Sequence, residues 1–150
     1  MILFNESQLN IDFISGELWA VIPNYSNYLI SNYGRIYSFL NKAIKCKKKS
    51  LKKKHKRRKT KKLYLMTRLI DDNGVLSNSI YIHRLVALVF CPNSDPEHKT
   101  EVHHIDVNSL NNKANNLVWL TPEEHKEIHK KLRKAQKESE SNEAWKAERT

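Results

Sequence analysis

Four of the seven histidines form a pattern that could do chemistry: His103 and His104 are adjacent, and His125 and His129 are four apart. Residues four apart on a helix share a face. Near a helix start the positive dipole end disfavours imidazolium, so such rings stay neutral and able to bind metal. A lone surface histidine is usually only a solvated polar residue, and two at helical spacing occur by chance. A His-His pair on one segment joined to an i, i+4 pair on the next is harder to dismiss. Imidazoles suit zinc, nickel and other first-row ions, whereas all-carboxylate shells suit magnesium. A site with few protein ligands leaves positions for phosphate oxygens and water, and its ion can polarise a phosphodiester and stabilise the leaving oxygen. A neighbouring histidine can then take a proton from the attacking water.

The elements that must position these residues are readable. Glu101 to Asp106 reads as a strand, Asn108 to Asn115 as a polar turn region and Asn116 to Leu120 as a second strand. Thr121-Pro122-Glu123-Glu124 is a helix start, with Thr as N-cap, Pro at the first helical position and Glu three after the cap. The helix runs through His125, Ile128, His129 and Leu132, and its mixed Lys/Glu continuation toward Thr150 reads as a solvated tail. Strand alternation puts His103 and His104 on opposite faces. Both can serve one phosphate only at a strand edge or on a strongly twisted hairpin.

Upstream, Leu18–Ile22, Tyr28–Ile30 and Arg35–Phe39 read as an antiparallel meander, with Asn32 and Gly34 supplying a tight turn. Leu63 to Leu69 is a further strand, Asp72-Asn73-Gly74 a hairpin turn, and Ser79-Ile80-Tyr81 the return. Ile82 to Phe90 fits one helical face or a buried strand; the helix is preferred because His83 and Arg84 then share the exposed side, and Cys91-Pro92 ends it. Trp19 and Trp119 lie in apolar strands and read as core. Residues 1–16 look like a weakly structured lead-in.

Charge points to a partner. The formal net charge is +11, no acid occurs between Glu17 and Asp71, and Lys45 to Lys62 is a low-complexity basic run expected to be a mobile loop. Lys52, Lys53, Lys54, Lys56, Arg57, Arg58 and Lys59 in that run, with Arg84, are the candidate phosphate contacts. A strongly basic chain around a phosphodiester-directed site points to double-stranded DNA as the partner. The two cysteines, Cys46 and Cys91, are in no metal-like spacing, so a disulfide framework or cysteine-based zinc site is not expected. No stretch approaches the roughly 20 apolar residues of a membrane span, and no secretory signal is visible, so an intracellular protein is expected.

Ile82-His83-Arg84-Leu85-Val86-Ala87, Val102-His103-His104-Ile105-Asp106, Asn111-Asn112, Asn116-Leu117 and Trp119 to His129 together resemble HNH endonucleases, most closely those of phages and mobile introns. Trp19 to Ser38, with Ile22-Pro23, Tyr28 and Ile30 to Arg35, resembles the modular motif often placed before that nuclease in homing endonucleases. The resemblance implies two antiparallel strands and a helix clamping one divalent ion, whether Mg, Mn, Zn or Ni. It implies His104 as general base, His103 as a metal ligand, His125 as the helical ligand and His129 as a third ligand or supporting group. It makes Asn116 the central asparagine, bracing the hairpin loop and helping to orient His104, with Asp106 capping backbone amides nearby.

The expected architecture is thus α+β. Residues 17–81 form a small antiparallel β-rich DNA-binding module with the basic loop 45–62, residues 82–132 a ββα-metal nuclease module, and residues 133–150 a charged helical tail. The expected activity is divalent-metal-dependent hydrolysis of DNA, leaving 5′-phosphate and 3′-hydroxyl ends. Two rivals are a DNA-binding protein that kept this fold without the chemistry, and a structural metal module with a closed four-coordinate site.

Overall fold

Strand β2 (Trp19–Ile22) is apolar throughout, and the middle of β3 (Tyr25–Ser31) nearly so. Such runs suit strands covered on both faces. The computed structural model, which describes residues 3–4, 9, 11–44, 48–51 and 63–147 (backbone alone at 3, 48–51 and 141–147), shows that cover. β1 (Leu3–Phe4), β2, β3, β4 (Ile36–Ser38) and β5 (Ala43–Ile44) form an antiparallel sheet in sequence order. Trp19, Leu29 and Tyr37 project from one face onto Leu9, Phe4, Ile11 and Phe13. Ala20, Ile22, Ile30 and Ile36, on the other face by alternation, are completely buried, and helix α1 (Ile82–Phe90) packs against β2 and β3. Full burial of a side chain the size of these contributes about 1.5–3 kcal/mol.

A second antiparallel sheet joins β6 (Lys48–Leu51), β7 (Leu63–Thr67) and β8 (Ile80–Tyr81). The turn after β7 is closed by Gly74 at φ 81°, and Asp71 Oδ1 accepts from the backbone N–H groups of Asn73 and Val75. Asp72 Oδ1 also accepts from Ser26, from both its backbone N and its hydroxyl at 2.7 Å, which ties this turn to the first sheet.

β9 (Glu101–His104) and β10 (Leu117–Leu120) form a two-stranded sheet, and helix α2 (Pro122–Ala147) follows. The α+β architecture of small antiparallel sheets and a C-terminal helix is therefore present. The chain divides into two compact units, Met1–Pro92 with Val102–Val118, and Asn93–Glu101 with Trp119–Thr150.

Four expectations change. Leu3–Phe4 and Leu9 belong to the first sheet and its core, so the stretch before residue 17 does more than lead in. Leu9, Ile11 and Phe13 alternate, which is the signal that marks them. Within the basic run, Lys48–Leu51 is a strand paired to β7 and not loop. His83 is buried, because Tyr64 and Tyr81 from the second sheet stand against its ring at centroid distances of 5.5 and 5.4 Å. Trp119 is half-buried, unlike Trp19, which is completely buried.

Candidate active site

β9 ends at His104, and the chain turns sharply there. Val107 takes a positive φ of 62° and its N–H donates to His104 O at 2.9 Å. The loop that follows is built from short amide and carboxylate side chains that bond locally to backbone. Asp106 Oδ1 accepts from Asn108 N at 2.8 Å, and Asn108 Oδ1 accepts from Leu110 N at 3.1 Å. Asn116, on a 3₁₀ turn (Ala114–Asn116), closes the loop from within. Its Oδ1 accepts from Asp106 N at 3.0 Å, and its Nδ2 donates to Asp106 Oδ1 and to Asn111 O, both at 2.9 Å. Donated bonds from Asn111 and Asn116 hold the Asp106 carboxyl below its ordinary pKa.

His104 sits at the inner end of this loop and is buried. Its Nε2 lies 3.1 Å from Asn112 Oδ1. With that amide oxygen as the acceptor, the tautomer that fits is the one that donates from Nε2 and leaves Nδ1 to accept. The His83 ring stands 4.9 Å from it and the Tyr64 ring 6.4 Å, forming an aromatic wall. His83 and Asn112 are the two residues that sequence reasoning did not place here. The asparagine pair at 111 and 112 was visible; which of the two meets His104 was not. His103, one residue back on β9, is also buried.

In the other unit, α2 begins as expected. Glu124 N donates to Thr121 Oγ1 at 3.1 Å and Thr121 N donates to Glu124 Oε2 at 2.8 Å, a reciprocal capping box. His125 N then donates to Thr121 O. His125 and His129, both half-buried, present their Nε2 atoms to each other at 3.2 Å. Two imidazole nitrogens on one tetrahedral ion, each about 2.0–2.1 Å from it, lie roughly 3.3 Å apart. The pair therefore has the spacing of two ligands, and its donor set fits a divalent first-row ion. Glu101 Oε2 lies 4.0 Å from His125 Nδ1, on the side that leaves Nε2 for metal.

Arg84 is half-buried on α1. Lys52, Lys53, Lys54, Lys56, Arg57, Arg58 and Lys59 lie outside the described residues.

Comparison with known proteins meets this geometry. Residues 80–127 match a family model described as HNH endonuclease, and residues 17–69 match the NUMOD4 motif. The chain resembles HNH homing endonucleases. The HNH match takes in His103, His104, Asn116 and His125 and stops short of His129, while the NUMOD4 match takes in the Asn32–Gly34 turn and the basic run. An uncharacterized HNH endonuclease of Acanthamoeba polyphaga mimivirus is 36% identical over 111 residues, 73% of this chain and 25% of that protein. The H-N-H endonuclease F-TflII of Escherichia phage T5 is 36% identical over 119 residues, 73% of this chain and 51% of that one. A solved structure described as DNA binding and cleavage by the HNH homing endonuclease I-HmuI superposes with a TM-score of 0.60 at 27% identity, covering 81% of this chain and 66% of that one. The chain thus spans a quarter to a half of the length of these curated relatives.

Proposed function

We propose that this chain is a divalent-metal-dependent endonuclease of homing type that hydrolyses phosphodiester bonds of double-stranded DNA. The observation that carries the reading is the two-ligand spacing of His125 and His129. His103, which the HNH match takes in, is assigned as a further ligand. An ion held by these imidazoles supplies positive charge for the phosphate and the leaving oxygen. His104, adjacent to His103 in the chain, accepts a proton from water at Nδ1 while Nε2–H stays on Asn112. Asn116 keeps the turn after His104 closed. DNA binding and cleavage by I-HmuI, to which this chain is similar, supports the substrate.

The basic run supplies the affinity. Each lysine or arginine that neutralises a phosphate releases counterion, steepening the slope of log affinity against log salt by roughly 0.9 per contact. Lys52, Lys53, Lys54, Lys56, Arg57, Arg58, Lys59 and Arg84 are assigned to such contacts, which position the duplex without reading its sequence.

The test is incubation with supercoiled plasmid across Mg²⁺, Mn²⁺, Zn²⁺ and Ni²⁺, reading nicked and linear product. Cleavage that stops with chelator and is lost in His104→Ala is expected. Salt-sensitive DNA binding with no cleavage under any metal would overturn the reading in favour of a binding protein.

A further inference from the structure

The candidate base is held by a residue outside the three that name such sites, and that residue is pressed by the N-terminal module. Asn112 is 3% exposed and its Oδ1 is the acceptor for His104 Nε2. Three contacts run from the Asn112 segment to the turn between β3 and β4. Ala114 N donates to Asn32 O at 2.7 Å. Lys113 Nζ lies 5.0 Å over the Tyr33 ring. Gly34, at φ 73°, has no room for a side chain: a Cβ there would stand 3.0 Å from Asn112 Cβ and 3.1 Å from Ile82 Cγ2.

The turn is itself fixed. Asn32 Nδ2 donates to Gly16 O and its Oδ1 accepts from Leu18 N, while Ser31 Oγ accepts from the backbone of Tyr33 and Arg35. Arg35 is anchored in turn by its 2.7 Å bond to the buried Glu17. A hydrogen-bonded turn thus packs against the side chain that meets His104.

We propose that Asn112 is the positioning residue for His104, and that the Asn32–Gly34 turn, by packing on Asn112, couples the state of the N-terminal module to the proton-accepting geometry. This rests on His104 acting as the base. The chemistry at stake is one proton. With Asn112 Oδ1 toward the ring, Nε2 keeps its hydrogen and Nδ1 accepts from water. With the amide reversed, its Nδ2 would donate to Nε2, the hydrogen would sit on Nδ1, and the ring could not take the proton there.

The experiment compares full-length variants in single-turnover cleavage at saturating metal, varying DNA. Asn112→Leu is expected to lower the rate on the order of 10²-fold with little change in the DNA concentration for half-maximal rate, as a misaligned catalytic group does. Asn112→Asp keeps an acceptor oxygen and is expected to restore most of the rate. Gly34→Ala is expected to lower the rate, also without weakening DNA. Gly74→Ala is its control: Gly74 has the same sign of φ but nothing within 4 Å of an added Cβ, so it shares the backbone strain without the contact. An Asn112→Leu variant that cuts at the wild-type rate, or equal rates in Gly34→Ala and Gly74→Ala, would overturn the inference.

Nitrogen NMR of the His104 ring, assigned by its absence in His104→Ala, reads the contact without turnover. The Nε2–H form is expected in the wild type and Gly74→Ala, and loss of its dominance in Asn112→Leu. A wild type in the Nδ1–H form would also overturn the proposal. Unimpaired cleavage by His104→Ala would instead sink the underlying assignment of the base, leaving the ring tautomer to decide the Asn112 contact.

Discussion

The two histidine pairs are made by opposite means. His103 and His104 are buried at the end of a strand, and His104 is enclosed by the rings of His83 and Tyr64 and by the Asn112 amide. His125 and His129 stand half-buried on a helix whose outer face is charged and exposed. A proton acceptor has to be oriented and kept in one tautomer, and enclosure does that. Ligands have to admit an ion and let water and phosphate share it, and a half-open face does that. The difference teaches that residue type alone does not fix a role: the same imidazole is enclosed at His104 and half-open at His125 and His129.

That contrast can be broken by experiment. The largest effect is expected at the enclosed pair: His104→Ala should lower the cleavage rate by about 10²–10⁴-fold while leaving metal and DNA affinity near wild type. Calorimetric metal titration beside the rate measurement checks it, and a shift in metal affinity as large as the loss in rate would erase the distinction between the pairs. Next comes the open pair. His125→Ala should raise the metal concentration for half-maximal cleavage by at least the roughly 10- to 100-fold that loss of a ligand's outer hydrogen-bond partner costs, with excess metal recovering activity. Activity that no metal concentration restores would place His125 in the chemistry itself.

The loop joining the two strands gives a smaller effect, on stability. Asn116→Ala leaves the Asp106 N–H without its acceptor and removes two donated bonds, at a cost of about 1–3 kcal/mol. Urea denaturation measures this. The acid limb follows from Asp106, whose folded pKa is depressed, chiefly by Asn111 and then Asn116. Its contribution is present above the ordinary carboxylate pKa and is lost as pH falls through the lower folded value. In Asn116→Ala the folded value should rise toward the ordinary one, so the decline of stability in acid should narrow. The smallest effect is at the helix start: Thr121→Ala should cost about 1 kcal/mol, read as a lower urea midpoint, without altering the rate at saturating metal.

The sequence announced what local chemistry dictates. Thr121 and Glu124 form the capping box, Gly34 and Gly74 take the positive φ their turns require, and Ile82–Phe90 is the helix preferred over a buried strand. The resemblance named His103, His104, Asn116 and His125 from motif alone. What remained hidden depends on partners distant in the chain. The period of α1 put His83 beside Arg84 on an exposed side, because nothing local reveals that Tyr64 and Tyr81 will stand over its ring. The asparagines at 108, 111 and 112 are alike in type, and only the fold separates loop closure from contact with His104. Lys48–Leu51 pairs as a strand although like charges disfavour order, since ladder partners from β7 are invisible to composition.

The capping box at Thr121 also works as an index mark. It fixes where the first turn of α2 begins, and four residues later it has fixed the compass bearing of His125, with His129 one turn beyond. Each residue added to or removed from the interval Pro122–Glu124 would rotate both rings together by roughly 100° about the helix axis. Their 3.2 Å spacing would survive intact while aiming at the wrong place. In this chain the spacing of the histidine pair is portable, but its phase is not.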